Sequence, residues 1–267
     1  MELSGVSVAG VETCIEVRSL KLLLDLGRCS ASAVAQRLVL ISHGHLDHLG
    51  AITQHAARRA LLGMAEGVYV VPRAIAPRVE ALFEAAGALD GQIIPRTVVP
   101  LSPGESYVIG KNRWVRPFET FHRVPSQGYT VWERRTRLRE EFRGTPGLRL
   151  GELRRSGAAI DEVHEVPLLS FTGDTRIEAL ERTPELARTE TLIIESSFLD
   201  ERVSVAEARQ MGHVHLDEIC ERASLLPRTE VVLSHFSARY QDSELEPLVR
   251  RRLPDDLQAV VRLLKKS

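Results

Sequence analysis

Short apolar runs alternate with polar turns along the first third of the chain, a pattern typical of a sheet built from short strands. The runs that predict strands are 14–17, 22–26, 37–42 and 67–71. Helical periodicity follows two of them, and it predicts helices over 50–62 and 75–86, the second ending at Gly87. Strands followed by helices indicate an α/β fold.

The rest of the chain predicts strands that end at polar groups. Strands are expected over 113–120, 128–132, 168–172, 191–194 and 230–234. The last three are followed or ended by Asp174, Glu195 and His235. Loops at the carboxyl ends of strands carry most binding residues of open α/β sheets, so we expect these side chains to share one edge.

Length and composition are those of an ordinary globular protein. The 267 residues are 43% hydrophobic, and no internal repeat interrupts them, so we expect one domain over 1–267. The 35 basic and 36 acidic residues give a formal net charge of −1. A neutral total does not indicate a nucleic-acid-binding protein, and any RNA-binding surface must concentrate positive charge locally.

One segment does concentrate positive charge. Residues 133–155 contain eight arginines and four glutamates, a balance of +4, and four glycine or proline residues interrupt them. We expect a short insertion over about 133–157 that binds RNA phosphates through Arg135, Arg137 and Arg139. The alternative is a solvated loop in which arginines and glutamates pair with each other.

Cysteine usage and hydropathy indicate the compartment. The three cysteines are widely spaced, so neither a disulfide framework nor a zinc ribbon is expected. No run approaches the roughly 18 uninterrupted apolar residues of a membrane span, and the N-terminus lacks a signal-peptide pattern. We therefore expect a cytoplasmic protein with no membrane contact.

The strongest chemical signal is the segment His43-Gly44-His45-Leu46-Asp47-His48, directly after an apolar strand. Residues i and i+2 of an extended segment point the same way, so His43 and His45 can bind one ion together. Asp47 and His48 can face a second ion. Imidazole nitrogen and carboxylate oxygen suit zinc, although manganese and iron accept the same ligands.

Three later residues complete a two-metal constellation. His122 follows the strand over 113–120, Asp174 follows a Gly-containing turn, and His235 ends an apolar run. Each alone has an ordinary structural reading, as a buried histidine or a turn aspartate, but together with the histidine cluster they predict a metal centre. His55 and His164 lack such a context, and we expect both at the surface.

These motifs resemble those of the metallo-β-lactamase superfamily, whose signature HxHxDH is similar to HGHLDH at 43–48. Within it the chain resembles ribonuclease Z, the endonuclease that removes 3′ trailers from precursor tRNA. The segments that carry this likeness are TFHRVPSQGY at 120–129, FTGDT at 171–175, ESSF at 195–198, GH at 212–213 and LSHFSARY at 233–240. The likeness to short plant-type enzymes rests on ETC at 12–14, DLGRC at 25–29 and FLD at 198–200.

The resemblance implies a four-layer αβ/βα sandwich, two zinc ions per chain, a homodimer and precursor tRNA as substrate. It places His43, His45 and His122 on one ion, and Asp47, His48 and His235 on the other, with Asp174 bridging them. It also implies that Asp47 orients the nucleophile and that Glu195 and His213 form a catalytic pair. The tRNA would keep a 3′-hydroxyl and the trailer a 5′-phosphate.

Some features depart from the family pattern. Residues 4–11 lack the N-terminal loop of the common bacterial forms, and the Arg-rich insertion is short and lacks their Gly-Pro-rich pattern. His215 stands where many members have threonine, and it either caps the helix starting near Leu216 or supports the site from behind. The alternatives are a hydrolase of small or cyclic phosphodiesters, a non-catalytic RNA-binding relative, and a thiolester or lactam hydrolase.

Overall fold

The computed structural model describes residues 1–264 and contains two seven-stranded sheets. The strands of the first half are β1 (Leu3–Ala9), β2 (Glu12–Val17), β3 (Leu22–Leu24), β4 (Leu38–Leu40), β5 (Gly67–Pro72), β6 (Arg96–Leu101) and β7 (Tyr107–Val108). Those of the second half are β8 (Arg113–Glu119), β9 (Gln127–Leu138), β10 (Asp161–Phe171), β11 (Thr191–Glu195), β12 (Val231–Ser234), β13 (Phe236–Ser237) and β14 (Val261–Leu263).

The helices lie between these strands. They are α1 (Ala31–Ala35), α2 (Leu46–Leu49), α3 (Ile52–Leu61), α4 (Ala76–Asp90), α5 (Gly147–Arg155), α6 (Glu178–Arg182), α7 (Val205–Met211), α8 (Leu216–Glu221) and α9 (Asp242–Arg252). The first sheet has the order β13-β1-β2-β3-β4-β5-β6, and the second has the order β14-β12-β11-β10-β9-β8-β7. No helix within residues 1–264 is long and apolar enough to cross a membrane.

The two sheets pack face to face, and helices cover their outer faces. The alternation of side chains in β3 shows why: Leu22 and Leu24 join the core between the sheets, whereas Leu23 packs in the outer core against α3 and α4. A matching outer core joins β11 and β12 to α8 and α9. The expected four-layer αβ/βα sandwich is confirmed.

Within residues 1–264, sequence periodicity located nine of the fourteen strands and two of the nine helices, but not all of their ends. The predicted helix over 50–62 corresponds to α3, whereas the single turn of α2 before it and the N-terminal strand β1 were not predicted. Helix α4 does not end at Gly87 but continues to Asp90, and Gly91 caps it with a left-handed φ of 72°. Gly87 instead makes room for the returning chain, because a Cβ there would lie 2.7 Å from the carbonyl oxygen of Gln92.

The Arg-rich segment is ordered secondary structure rather than a loop. Strand β9 continues through it to Leu138, which pairs with Asp161 at the start of β10. A turn of 3-10 helix and α5 close this long hairpin. Period-2 alternation therefore puts neighbouring arginines on opposite faces of the strand.

Candidate metal centre

The segment after β4 brings four side chains to one edge of the first sheet. His43 forms an isolated bridge with Ser126, the residue before β9, so the segment is attached to the second sheet as well. The single turn of α2 then carries Asp47 and His48. His45 precedes this turn in an extended conformation, which points its ring toward that of His43.

The other three predicted ligands come from the second sheet. His122 follows β8 and Asp174 follows β10, and the two loops are joined because the amide of Arg176 donates to the Phe121 carbonyl at 3.0 Å. His235 lies between β12 and β13, where the chain passes from one sheet to the other. Its left-handed φ of 60° is unusual for a non-glycine residue and marks a position under constraint.

The first group consists of His43, His45, His122 and Asp174, whose ligand atoms lie within 4.8 Å of one another. His45 Nδ1 is 3.0 Å from His43 Nε2 and 3.4 Å from His122 Nε2. Asp174 Oδ2 is 3.6 Å from His43 Nε2. Zinc–nitrogen bonds of about 2.0 Å in a tetrahedron put ligand atoms about 3.3 Å apart, so these spacings fit one ion.

The second group consists of Asp47, His48 and His235, and it shares Asp174 with the first. His48 Nε2 is 3.4 Å from Asp47 Oδ2 and 3.3 Å from Asp174 Oδ1. His235 Nε2 is 3.1 Å from the same Asp174 oxygen. Asp174 therefore turns one oxygen toward each group, as a carboxylate between two cations does.

Three buried polar atoms at this point have no hydrogen-bond partner: His48 Nε2, His235 Nε2 and Asp174 Oδ1. Buried polar groups without partners are costly, and their convergence is what a cation would resolve. Because imidazole binds a cation only through an unprotonated nitrogen, the fit also requires that the other ring nitrogen carry the proton. A pair of zinc ions fits this donor set.

In three of the histidines, Nδ1, the nitrogen that faces away from the centre, has a hydrogen-bond partner, as cation binding through Nε2 requires. His122 Nδ1 donates to the carbonyl of Gly212 at 2.8 Å, and His48 Nδ1 donates to Asp25 at 2.7 Å. Nδ1 of His235 lies 3.3 Å from the Thr13 hydroxyl. These contacts fix the tautomers and aim each Nε2 at the centre.

Asp25 contacts the candidate metal groups from behind, and we did not predict this from the sequence. Its buried carboxylate accepts hydrogen bonds from His48, from the amide of Ser42 at 2.6 Å and from the Ser42 hydroxyl at 2.8 Å. The Ser42 oxygen lies 3.0 Å from His43 Nδ1, so Asp25 orients one histidine of each group. Its sequence signal is weak: it is a single carboxylate directly after the apolar run that forms β3, at the start of the DLGRC segment.

Burial and charge set the protonation of the centre. Burial lowers the pKa of His43 and of His122, which keeps both rings neutral and able to bind a cation. Burial also opposes charge on His48, but the carboxylates of Asp174 and Asp25 raise its pKa well above the ordinary value. A cation bound at Nε2 would replace that proton.

Glu195 and His213 form the pair that the family resemblance implies. Glu195 is the last residue of β11, and its buried carboxylate accepts from the Thr175 amide and the Ser197 hydroxyl at 2.7 and 2.6 Å. His213 Nδ1 lies 3.0 Å from it. Burial lowers the pKa of His213, but the charge and hydrogen bond of Glu195, together with the charge of Asp174, raise it to about 9.

His215 has the helix-capping role that we considered. It is the N-cap of α8, and its Nδ1 accepts the amide of Asp217 at 3.1 Å. Its Nε2 lies 3.1 Å from the Asp200 carbonyl, so both ring nitrogens are engaged away from the metal groups.

Two other histidine predictions have different outcomes. The prediction that His55 lies at the surface is wrong: it is fully buried, with Nδ1 2.8 Å from the Tyr69 hydroxyl and Nε2 3.1 Å from the Gln36 carbonyl. His164 is half-buried on β10.

The three arginines expected to bind RNA lie on β9 or, for Arg139, just beyond its end, away from the metal groups. Arg135 pairs with Glu133 and Glu190, and Arg137 pairs with Glu162 at 2.6 Å. Arg139 Nη1 is 4.0 Å from Glu141. Because a strand rises about 3.3 Å per residue, Arg135 lies about 26 Å along β9 from Gln127 at the metal edge.

Comparisons with known proteins give relatives in sequence and in fold. The sequence model of the Beta-lactamase superfamily domain matches residues 27–236. The tRNase Z TRZ1 of Arabidopsis thaliana is 38% identical to this chain over 97% of the chain and 93% of its own length. The chloroplastic tRNase Z TRZ2 of the same plant is 35% identical over 92% of the chain and 70% of its own length.

Two solved structures are similar in fold. The human short-form tRNase Z has a TM-score of 0.61 at 17% identity, covering 100% of this chain and 97% of its own. The metallo-β-lactamase fold protein YhfI of Bacillus subtilis has a TM-score of 0.64 at 14% identity, covering 99% and 97%.

Proposed function

Since this chain belongs to the ribonuclease Z family of the metallo-β-lactamase superfamily, we propose that it removes the 3′ trailer from precursor tRNA. The cut would leave a 3′-hydroxyl on the tRNA and a 5′-phosphate on the trailer. The single observation that carries the proposal is the convergence of seven ligand side chains beside the Glu195–His213 pair. The seven ligand side chains would form a hydrolytic centre, and the Glu195–His213 pair would supply its proton donor.

We propose that His43, His45 and His122 hold one cation, that Asp47, His48 and His235 hold the other, and that Asp174 contacts both. Zinc fits the nitrogen-rich donor set best, and manganese or iron would use the same residues. Two cations bound there would lower the pKa of water and neutralise charge on the phosphate. The sandwich contributes rigid positions, because every ligand lies at a strand end or on the adjoining helical turn.

The protein side chains divide the remaining work. Asp47 orients the attacking oxygen, and its own carboxylate is held by the amide of Gly10 at 2.8 Å. His213 protonates the leaving 3′-oxygen of ribose, because Glu195 keeps Nδ1 occupied and the ring correctly turned. A leaving alkoxide is thereby avoided.

The insertion would bind the body of the RNA. Arg135, Arg137 and Arg139 are 40%, 56% and 42% exposed and pair with glutamates. Exposed ion pairs are worth little, so a phosphate can replace a carboxylate at small cost. We also propose, from the family alone, a homodimer and a cytoplasmic location; sedimentation velocity at micromolar concentration tests the first, and fractionation of cells that express the chain tests the second.

The deciding experiment incubates end-labelled precursor tRNA with the protein, with and without a chelator, and maps the cut and its end groups. We expect one cut after the tRNA body, its loss with chelator and its return with added zinc. His48→Ala should lose about one ion per chain, while His164→Ala, outside the centre, should keep both. Hydrolysis of cyclic nucleotides or bis(p-nitrophenyl) phosphate without any cleavage of the precursor would favour the small-phosphodiester alternative.

A further inference from the structure

The pattern Trp-x-Arg occurs twice in the chain, at Trp114–Arg116 and Trp132–Arg134. The two copies lie on β8 and β9, which are antiparallel neighbours with Trp114 directly opposite Trp132. Residues i and i+2 of a strand share a face, so all four side chains lie on one face of the second sheet. We call this group the Trp–Arg lattice.

Each tryptophan of the lattice supports the arginine of the other strand. The Arg134 guanidinium lies 5.5 Å from the ring centre of Trp114, and that of Arg116 lies 5.3 Å from the ring of Trp132. Both rings are buried, with 9% and 8% exposed. They therefore act as platforms that fix the two guanidinium groups rather than as surfaces on which a base could stack.

The lattice faces an open cavity of about 280 Å³ whose charged lining residues are four cations and one acid. Lys111, Arg116 and Arg134 line it, with Glu165 as the acid 3.7 Å from Arg134. Arg113 also lines it but pairs with Glu133 at 2.7 Å. Within residues 1–264 Arg116 makes no ion pair, and the Arg134 side chain is 59% exposed.

Guanidinium groups fixed in this way suit phosphate. Stacking on an indole leaves the N–H edge of the arginine free to donate two parallel hydrogen bonds to phosphate oxygens. Because the conformation is already held, less entropy is lost on binding. A polyanion is the ligand that several such cations select.

We propose that the Trp–Arg lattice binds the phosphate backbone of the substrate RNA away from the cleavage site. His122 is six residues beyond Arg116 along the chain, which is at most about 20 Å. The lattice would thus bind part of the RNA several nucleotides from the scissile bond. Arg135 and Arg137, on the opposite face of β9, do not belong to it. This inference rests on the proposed function for the identity of the RNA.

The test compares four proteins: wild type, R116Q/R134Q, R116K/R134K, and R78Q as a control that removes an exposed arginine of α4. KM and kcat for precursor tRNA, and binding of the same RNA by fluorescence anisotropy, are measured from 50 to 300 mM KCl. We expect R116Q/R134Q to raise KM about tenfold with kcat changed less than twofold. Its slope of log affinity against log salt should fall by about one per arginine.

The lysine pair separates charge from stacking. R116K/R134K should restore most of the salt slope but leave affinity below wild type, since lysine cannot bind in a planar, bidentate way. R78Q should match wild type. An unchanged KM and slope in R116Q/R134Q would overturn the inference, as would an equal effect of R78Q, which would indicate a loss of general charge.

The result does not depend on cleavage alone. If wild type cleaves no precursor tRNA, the proposed function fails, and anisotropy still decides whether the lattice binds RNA. If wild type cleaves and the glutamine pair binds normally, only the lattice proposal fails. A weaker dimer for the glutamine pair, with RNA affinity intact, would identify a second copy of the chain as the occupant and also overturn it.

Discussion

At the residue scale, the candidate metal ligands could be predicted from the sequence, but the residues that hydrogen-bond them from behind could not. His43, Asp174 and His235 lie just beyond apolar runs. This pattern can be recognised from a few neighbouring residues in the sequence. Asp25 works through contacts with Ser42 and His48, residues 17 and 23 positions away. Such contacts depend on how β3 and β4 lie side by side, which no local pattern encodes.

The Glu195–His213 pair makes a first prediction at this scale. His213→Ala should lower kcat for precursor tRNA by about 10²–10⁴-fold, because the leaving oxygen loses its proton donor. Metal content, measured by elemental analysis, should stay at the wild-type value. Ser197→Ala removes one hydrogen bond to Glu195 and serves as a milder companion. Loss of metal from His213→Ala would instead assign the ring to the cation groups.

His55 makes a second prediction, on stability. Burial lowers its pKa to about 4, against about 6.5 in the unfolded chain. Because the unfolded state binds the extra proton between these values, wild-type stability is complete above pH 6.5 and falls as pH drops toward 4. Relative to the non-titrating His55→Gln, wild type should lose about 3 kcal/mol over this window. Denaturant unfolding of both proteins at each pH measures this. A difference in the free energy of unfolding between wild type and His55→Gln that stays constant with pH would contradict the prediction.

At the element scale, periodicity predicted existence and order better than ends. The Arg-rich segment reads as a broken loop because it is charged, yet Arg137 pairs across the hairpin with Glu162 and extends β9. Both faces of that hairpin are solvated at its far end, so no apolar alternation marks it. The predicted end of α4 was wrong for a different reason, because Gly87 and Gly91 are equally plausible helix ends in the sequence.

The turn after β10 makes a prediction about how elements position ligands. Gly173 has a φ of 59°, and a Cβ there would overlap the Ser42 side chain, with Oγ only 2.7 Å away. Gly173→Ala should therefore push the Asp174 turn away from the His43 loop and reduce bound metal. Gly63→Ala is the matched control, because Gly63 has a φ of 63° and open space around it.

The two alanine variants separate backbone strain from displacement. Gly63→Ala should cost about 1 kcal/mol, the usual penalty of a left-handed alanine, with metal content unchanged. Gly173→Ala should cost more and lose metal affinity at least tenfold, as ligand displacement predicts. Equal destabilisation and full metal content in both would show that the sheets can shift to admit the extra atom.

At the scale of the whole molecule, the metal centre joins the two halves of the sandwich. His43, His45, Asp47 and His48 belong to the first sheet's edge, whereas His122 and Asp174 follow strands of the second. Cations bound between these residues would cross-link the two sheets at this edge of the sandwich. The buried Asp174 carboxylate, surrounded by imidazoles, is the point at which both halves meet.

Metal removal should accordingly destabilise the whole fold. At a zinc concentration 1,000-fold above the dissociation constant, binding adds about 4 kcal/mol, which is about 10 °C in Tm for a chain of this size. Calorimetry with and without chelator should show that shift for wild type and for Asp90→Ala, an exposed control on α4. Asp174→Ala lacks the ligand shared by both cation groups, so its Tm should move by less than about 2 °C. A full chelator shift in Asp174→Ala would mean that the cations do not depend on the residue that joins the sheets.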